Sequence, residues 1–109
     1  MTVRRPGRLR HRVRIERPVR TDDDGGGATL IWTAVATVWA GLEPRRGSEV
    51  VIADKPTART LYTVTMRYRD DVDATMRLVA GSRVFAIKSA VDVDGMQHWL
   101  SCLCELQGP

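Results

Sequence analysis

Cysteine, lysine, phenylalanine and long apolar runs are all scarce in this chain of 109 residues: two Cys, two Lys, one Phe, and aromatic residues at 6% in total. A bilayer-spanning helix needs about 20 mostly apolar residues, and no stretch approaches that length. The N-terminal region also lacks the apolar segment of a secretory signal, so the chain is expected to act in the cytoplasm where it is made, with no membrane partner. Cys102 and Cys104 stand two apart in a strand-like stretch, where both thiols fall on one face, and no further Cys or nearby His completes a metal set. They read as buried free thiols. His11 and His98 are distant from each other and from any neighbouring nucleophile or acid. With no glycine-rich phosphate loop and no paired acid and base, the sequence offers no catalytic residue, metal site or cofactor, and an enzyme is not expected.

Apolar residues at 43% and charged residues at 28% fit a soluble globular domain, and 109 residues fit one domain with a small core. The charge is unevenly placed. Residues 1–20 hold eight arginines against Glu16, a net of +7, while residues 21–109 hold nine bases against twelve acids, a net of −3. Arginine alternates along Arg8-Leu9-Arg10-His11-Arg12-Val13-Arg14-Ile15, so a strand there presents guanidinium groups on one side and a mostly apolar edge on the other. Such asymmetry points to a polyanion or an acidic partner surface. The plainer account is an edge strand kept soluble by its charge.

Short β-rich stretches follow one another. The first strand is expected to end near Arg17, where Pro18 cannot donate to a ladder at a central position. Thr21 to Gly27 is turn chemistry, and its three aspartates lack the spacing of a calcium loop. Residues 28–42 read as one long strand, or two with a bend, and a bulge near Thr33 would turn both Trp32 and Trp39 into the core. Pro44 ends that pattern. A long connection over residues 45–60 comes next, with a short helix expected around Ser48 to Ala53. Leu61 to Arg69 alternates cleanly, with Tyr62, Val64, Met66 and Tyr68 inward. Asp70-Asp71-Val72-Asp73 turns the chain, and strands are expected at Met76 to Val79, Arg83 to Ala90 and Met96 to Leu106, with Asp94-Gly95 as a hairpin turn. The fold class is all-β: a small antiparallel β-barrel or sandwich of about six strands, one domain over residues 1–109 with one long inserted loop.

Four stretches, in this order and spacing, carry a resemblance over nearly the whole chain. They are Leu9 to Arg17 with its Asp-Gly loop; Trp32 through Val38-Trp39-Ala40-Gly41-Leu42-Glu43-Pro44 to Gly47-Ser48-Glu49; Tyr62 to Arg69; and Met76-Arg77-Leu78 leading to Trp99-Leu100-Ser101-Cys102-Leu103-Cys104-Glu105. Together they resemble the phage head-tail joining family, the small head-closure or stopper proteins of long-tailed phages and phage-like gene transfer agents. The resemblance implies a β-barrel subunit that joins a ring of about twelve copies in the neck of the particle, made and assembled in the bacterial cytoplasm. Portal and adaptor proteins would lie above it, and a tail-completion or tail-terminator protein below. It also implies that the connection between the second and third long strands faces the DNA channel, which here means Arg45, Arg46, Glu49, Asp54, Lys55 and Arg59. Bases facing the channel would meet the phosphate backbone without reading sequence.

A head-to-tail ring needs unlike patches on the two sides of each subunit. The basic residues Arg8, Arg10, Arg12 and Arg14, set against the acids Asp70, Asp71 and Asp73 or the aspartates 22–24, would supply them. The competing reading is a small nucleic-acid-binding barrel whose arginine edge tracks phosphates while exposed aromatics stack on bases. The few aromatics fall mostly at inward positions in the alternation, which counts against it.

Overall fold

The computed structural model describes residues 9–45, 49–52, 55–58 and 60–107, with the backbone alone for the two four-residue stretches. Arginine alternation at the N-terminus becomes β1 (His11–Asp22), in which Val13 and Ile15 are fully buried while Arg12 and Arg14 face solvent. β1 pairs antiparallel with β2 (Ala28–Pro44) along its whole length. It therefore runs through Pro18, five residues past the end expected from the sequence. The proline is accepted because β1 has a second neighbour only at Arg14 to Glu16; beyond that point one edge is unpaired and a missing N–H costs no ladder bond. At the turn, Asp23 Oδ1 accepts the N–H groups of Gly25 and Gly27 at 2.9 Å each, and Gly26 takes a positive φ of 84° that a side chain would strain.

The pairing of β1 with β2 skips one residue, with Ile15 opposite Ala36 and Glu16 opposite Ala34, so the extra residue is Val35. This bulge does not turn the tryptophans inward. Trp39 is 53% exposed, and Trp32 is half-buried beneath the Arg77 guanidinium, outside the core cluster. Val38, Ala40 and Leu42 take the inward positions instead.

After β2 come β3 (Glu49–Ile52) and β4 (Lys55–Ala58), which pair with each other as a separate two-stranded sheet. The helix expected around Ser48 to Ala53 is thus replaced by a strand at residues 49–52. Val50-Val51-Ile52 is a β-branched run that loses little as a strand, and Pro56 sits where only one neighbour demands bonds. Four more strands, β5 (Leu61–Arg67), β6 (Arg77–Ala80), β7 (Arg83–Asp92) and β8 (Trp99–Leu106), complete a closed antiparallel barrel in the order β1-β2-β5-β8-β7-β6. β6 returns to β1 through Ile15 opposite Leu78, so closure leaves no open sheet edge around the core.

Alternation then decides what lies inside. Val64 and Met66 of β5, Leu78 of β6, Phe85 of β7 and Cys102 and Cys104 of β8 are fully buried, and Tyr62 and Tyr68 pack against them. The connection from β5 to β6 sends Val72 and Met76 into the same cluster. Burial pushes the Cys102 thiol up to about 12 and raises Cys104 as well, with the neighbouring thiol adding to the shift. Both thiols are expected to resist a maleimide at neutral pH in the native protein and to react together once it is unfolded. Labelling of either cysteine at the rate of a free peptide thiol would contradict their placement in the barrel.

Candidate interaction surfaces

Cross-strand register assembles an ordered row on the outside of the barrel. Arg12 pairs with Trp39, Arg67 pairs with Trp99, and the pairing of Ala40 with Met66 sets Trp39 beside Arg67. Four adjacent strands therefore carry Arg, Trp, Arg and Trp in line. The Arg12 guanidinium lies 5.5 Å from the Trp39 ring centroid and that of Arg67 lies 5.2 Å from Trp99, within cation–π range. Neither arginine has a carboxylate partner among the described residues. Beside the row, Leu9, Val38, Trp39, Arg67, Tyr68 and Arg69 line an open cleft of about 230 Å³.

A second outer cluster is closed on itself. Glu16 accepts hydrogen bonds from Arg14 Nε at 2.6 Å and Arg77 Nε at 2.7 Å, while Arg77 lies 4.4 Å over Trp32. Burial opposes the Glu16 charge, but the hydrogen bonds and charges of Arg77 and Arg14 outweigh it and hold the carboxyl below its ordinary value. Arg14 is thereby committed within its own chain.

Past Glu16, β1 and β2 continue as a two-stranded arm paired only with itself. It extends for six residues of each strand, roughly 20 Å at about 3.3 Å per residue. Val19 and Ile31 face each other on one side of this arm, 38% and 51% exposed, and Leu30 is 60% exposed on the other. Its tip carries Asp22, Asp23 and Asp24.

Of the other acids singled out from the sequence, Asp71 holds Arg69 in a two-point ion pair, with Nε to Oδ1 at 3.0 Å and Nη2 to Oδ2 at 2.8 Å. Asp73 accepts from the Thr75 amide at 2.9 Å and from its hydroxyl. Asp70, just before Asp71, is exposed. The structure thus places Asp71 and Asp73 in the internal bonding of their own loop. Arg10 is exposed and borders a second cleft with Gly41 and Thr65. Arg45 is exposed at the base of the insertion, its N–H bonded to the Leu61 carbonyl at 2.8 Å. Arg8, Arg46, Asp54 and Arg59 lie outside the described residues, and Glu49 and Lys55 are placed on β3 and β4 by backbone alone.

The sequence reading turned Trp32 and Trp39 inward and singled out neither Arg67 nor Trp99, although the alternation of β5 sets Arg67 on the outer face. The inward placement of aromatics that weighed against a nucleic-acid-binding barrel holds for Tyr62, Tyr68 and Phe85 and fails for all three tryptophans. Among the described residues no three His, Cys, Asp or Glu side chains gather as a metal site.

No curated protein matches the chain. Among solved structures it is similar to a chain from the virion of a native gene transfer agent particle, with 30% identity, a TM-score of 0.73, and coverage of 93% of this chain and 96% of that one. It is also similar to protein SF1141 from Shigella flexneri 2a, with 26% identity, a TM-score of 0.69, and coverage of 92% and 94%. The model of the phage head completion protein family matches residues 4–107, so nearly every element described above falls within it, and the chain belongs to that family.

Proposed function

We propose that this protein is a head-closure subunit, a structural connector that forms a ring beneath the portal and adaptor of a phage or phage-like particle, closes the DNA channel and docks the tail. The observation that carries the reading is the match of nearly the whole chain, barrel and insertion together, to the head completion family and to a chain of a gene transfer agent virion. The architecture supports it. The sheet of β3 and β4 leaves the barrel between two strands that are themselves neighbours, and Pro44 opposite Tyr62 closes the wall beneath it. An element that the barrel does not need for closure is free to serve the channel. There Arg45, Arg46, Lys55 and Arg59 would meet phosphates in a sequence-blind, salt-sensitive manner, with Glu49 and Asp54 weakening the grip.

Two measurements test this. Purified protein is expected to co-sediment with DNA-filled, tail-less particles that carry portal and adaptor, and to appear as a ring in the neck by electron microscopy. Failure to bind such particles, together with affinity for free DNA, would favour a nucleic-acid-binding barrel, a reading to which the exposed Arg and Trp row now lends an argument. Replacing residues 46–59 by a short glycine-serine turn is expected to leave the barrel folded and still incorporated, while particles lose their DNA. Retention of DNA by such particles would show that the insertion is not the closing element.

A further inference from the structure

The arm of β1 and β2 has two outer edges, and only one of them is guarded. Beyond Glu16 the free edge of β1 carries Arg17, Pro18 and Arg20, the kind of charges and proline that keep a sheet edge from pairing further. On the other side β2 pairs with β5 only from Ala40 onward. From Ala28 to Trp39 its second row of backbone N–H and C=O groups therefore has no ladder partner among the described residues. No charged residue and no proline occurs from Ala28 to Leu42. Leu30 and Ile31, both exposed, lie on this strand, with the exposed Val19 opposite Ile31. We infer that β2 of one copy pairs antiparallel with β2 of a second copy along Ala28 to Ala34, about a two-fold axis at Ile31, and so joins two arms into one four-stranded sheet.

The residues select a second copy as the occupant. A two-fold contact sets a strand against itself, where like charges would repel, so an uncharged strand is what it requires. Ala28 is the first residue of β2 and Ala34 the last before the pairing with β1 skips Val35, so a ladder filling this stretch has Ile31 at its centre. Alternation then orders both faces. On one, Val19, Ile31, Ile31 of the second copy and Val19 of the second copy stand in a row across four strands. On the other, Leu30 lies opposite Trp32 of the second copy, with Arg20 and Pro18 of the second copy at the two ends of that row. Val19, Leu30 and Ile31, the large apolar side chains that the arm exposes, all join apolar rows, and neither strand of the seam bears a charge. Pairing stops at two copies, because the outer edges of the joined sheet are the guarded β1 strands. Two such short strands bury less than the roughly 1,200 Å² of a standard interface, so the pair is weak and reversible. Complete with two copies, it is a state of the free protein and independent of the ring proposed above.

Sedimentation equilibrium of the purified protein tests the contact. At about 0.5 mM, high enough for an interface below standard size, wild type is expected to form a reversible dimer. Ile31→Lys and Ile31→Glu, each alone, should weaken it at least about tenfold, since the two-fold sets like charges face to face. Mixing the two variants should restore pairing, because position 31 then meets its opposite charge. Register is read by disulfide formation with a copper catalyst in air. Ile31→Cys should link two copies, as directly opposed residues stand about 4.5–5.5 Å apart, within disulfide reach. Thr33→Cys should not, because Thr33 falls opposite Thr29 of the second copy and the two 33 positions lie roughly 13 Å apart along the seam. The buried Cys102 and Cys104 stay silent. A monomeric wild type at this concentration would overturn the inference, as would a dimer indifferent to charge at position 31 or one that the mixture fails to restore. Equal linking by Thr33→Cys would overturn the two-fold at Ile31. A monomeric wild type whose Ile31→Lys variant no longer enters particles would give the edge to another protein and overturn self-pairing. Head closure is read from particles, so failure of the dimer leaves that reading standing.

Discussion

Phe85→Ala is expected to lower the unfolding free energy by about 4 kcal/mol, within the range for deleting a buried aromatic ring. Phe85 is fully buried in β7, and its ring meets Tyr62 edge-on, with centroids 5.0 Å apart at 71°. Leu78 faces it across the ladder from β6. Alanine would remove the ring contact and leave a void that the surroundings cannot fill, because a closed barrel fixes the separation of its strands through every ladder bond. A domain of this size has roughly 5–15 kcal/mol in total. The variant should therefore unfold at much lower urea, with little change in the slope of the transition. Phe85→Leu should recover more than half of the loss. If Phe85→Ala cost under about 1.5 kcal/mol, the barrel interior would have to be collapsible, contrary to the packing described.

Glu16→Ala is expected to cost about 2–3 kcal/mol and lower the melting temperature by roughly 10 °C. The carboxylate is the common acceptor for Arg14 and Arg77, and its side chain is only 7% exposed. Without it Arg77 stays over Trp32, loses its charged acceptor and keeps only the water that its 29% exposed side chain can reach. The loss falls short of the 3–5 kcal/mol typical of a fully buried pair because Arg14 is 50% exposed and can rehydrate. The sign of the acid response follows from the lowered carboxyl. Glu16 binds a proton less readily when folded than when unfolded, so the pair stabilises fully above the ordinary glutamate range and is lost as pH falls through the lower folded value. Melting temperatures of wild type and Glu16→Gln should differ most near neutral pH and converge as acid protonates Glu16. Asp71, held down by the hydrogen bond from Arg69, and Asp73, held down by those from Thr75, should leave both proteins acid-labile. A constant gap across the acid range would assign the effect of Glu16 to packing.

Alternation by two was enough to place Val13, Ile15, Val64, Met66, Cys102 and Cys104 inside and the arginines of β1 outside, because a strand has only two faces and one of them must be apolar to bury. All-β class, the number of barrel strands and the turn at residues 22–27 were legible for the same reason. The helix expected near Ser48 failed because a polar residue before a β-branched run suits a cap and a strand about equally, and pairing with residues 55–58 decided between them. Pro18 and Trp39 were misjudged because their placement depends on which neighbour is missing and where a pairing skips a residue. Those are properties of two strands at once.

By itself, then, the chain determined which side chains each strand could bury, the lopsided charge and the family to which it belongs, since all three are carried by local order along one segment after another. Only the tertiary structure decided that Arg12, Trp39, Arg67 and Trp99 stand in one row, that Glu16 serves two arginines 63 positions apart, and that β1 and β2 outrun the barrel as an arm. Register between strands distant in sequence is set by closing the whole sheet around a single core, and no one strand contains that information.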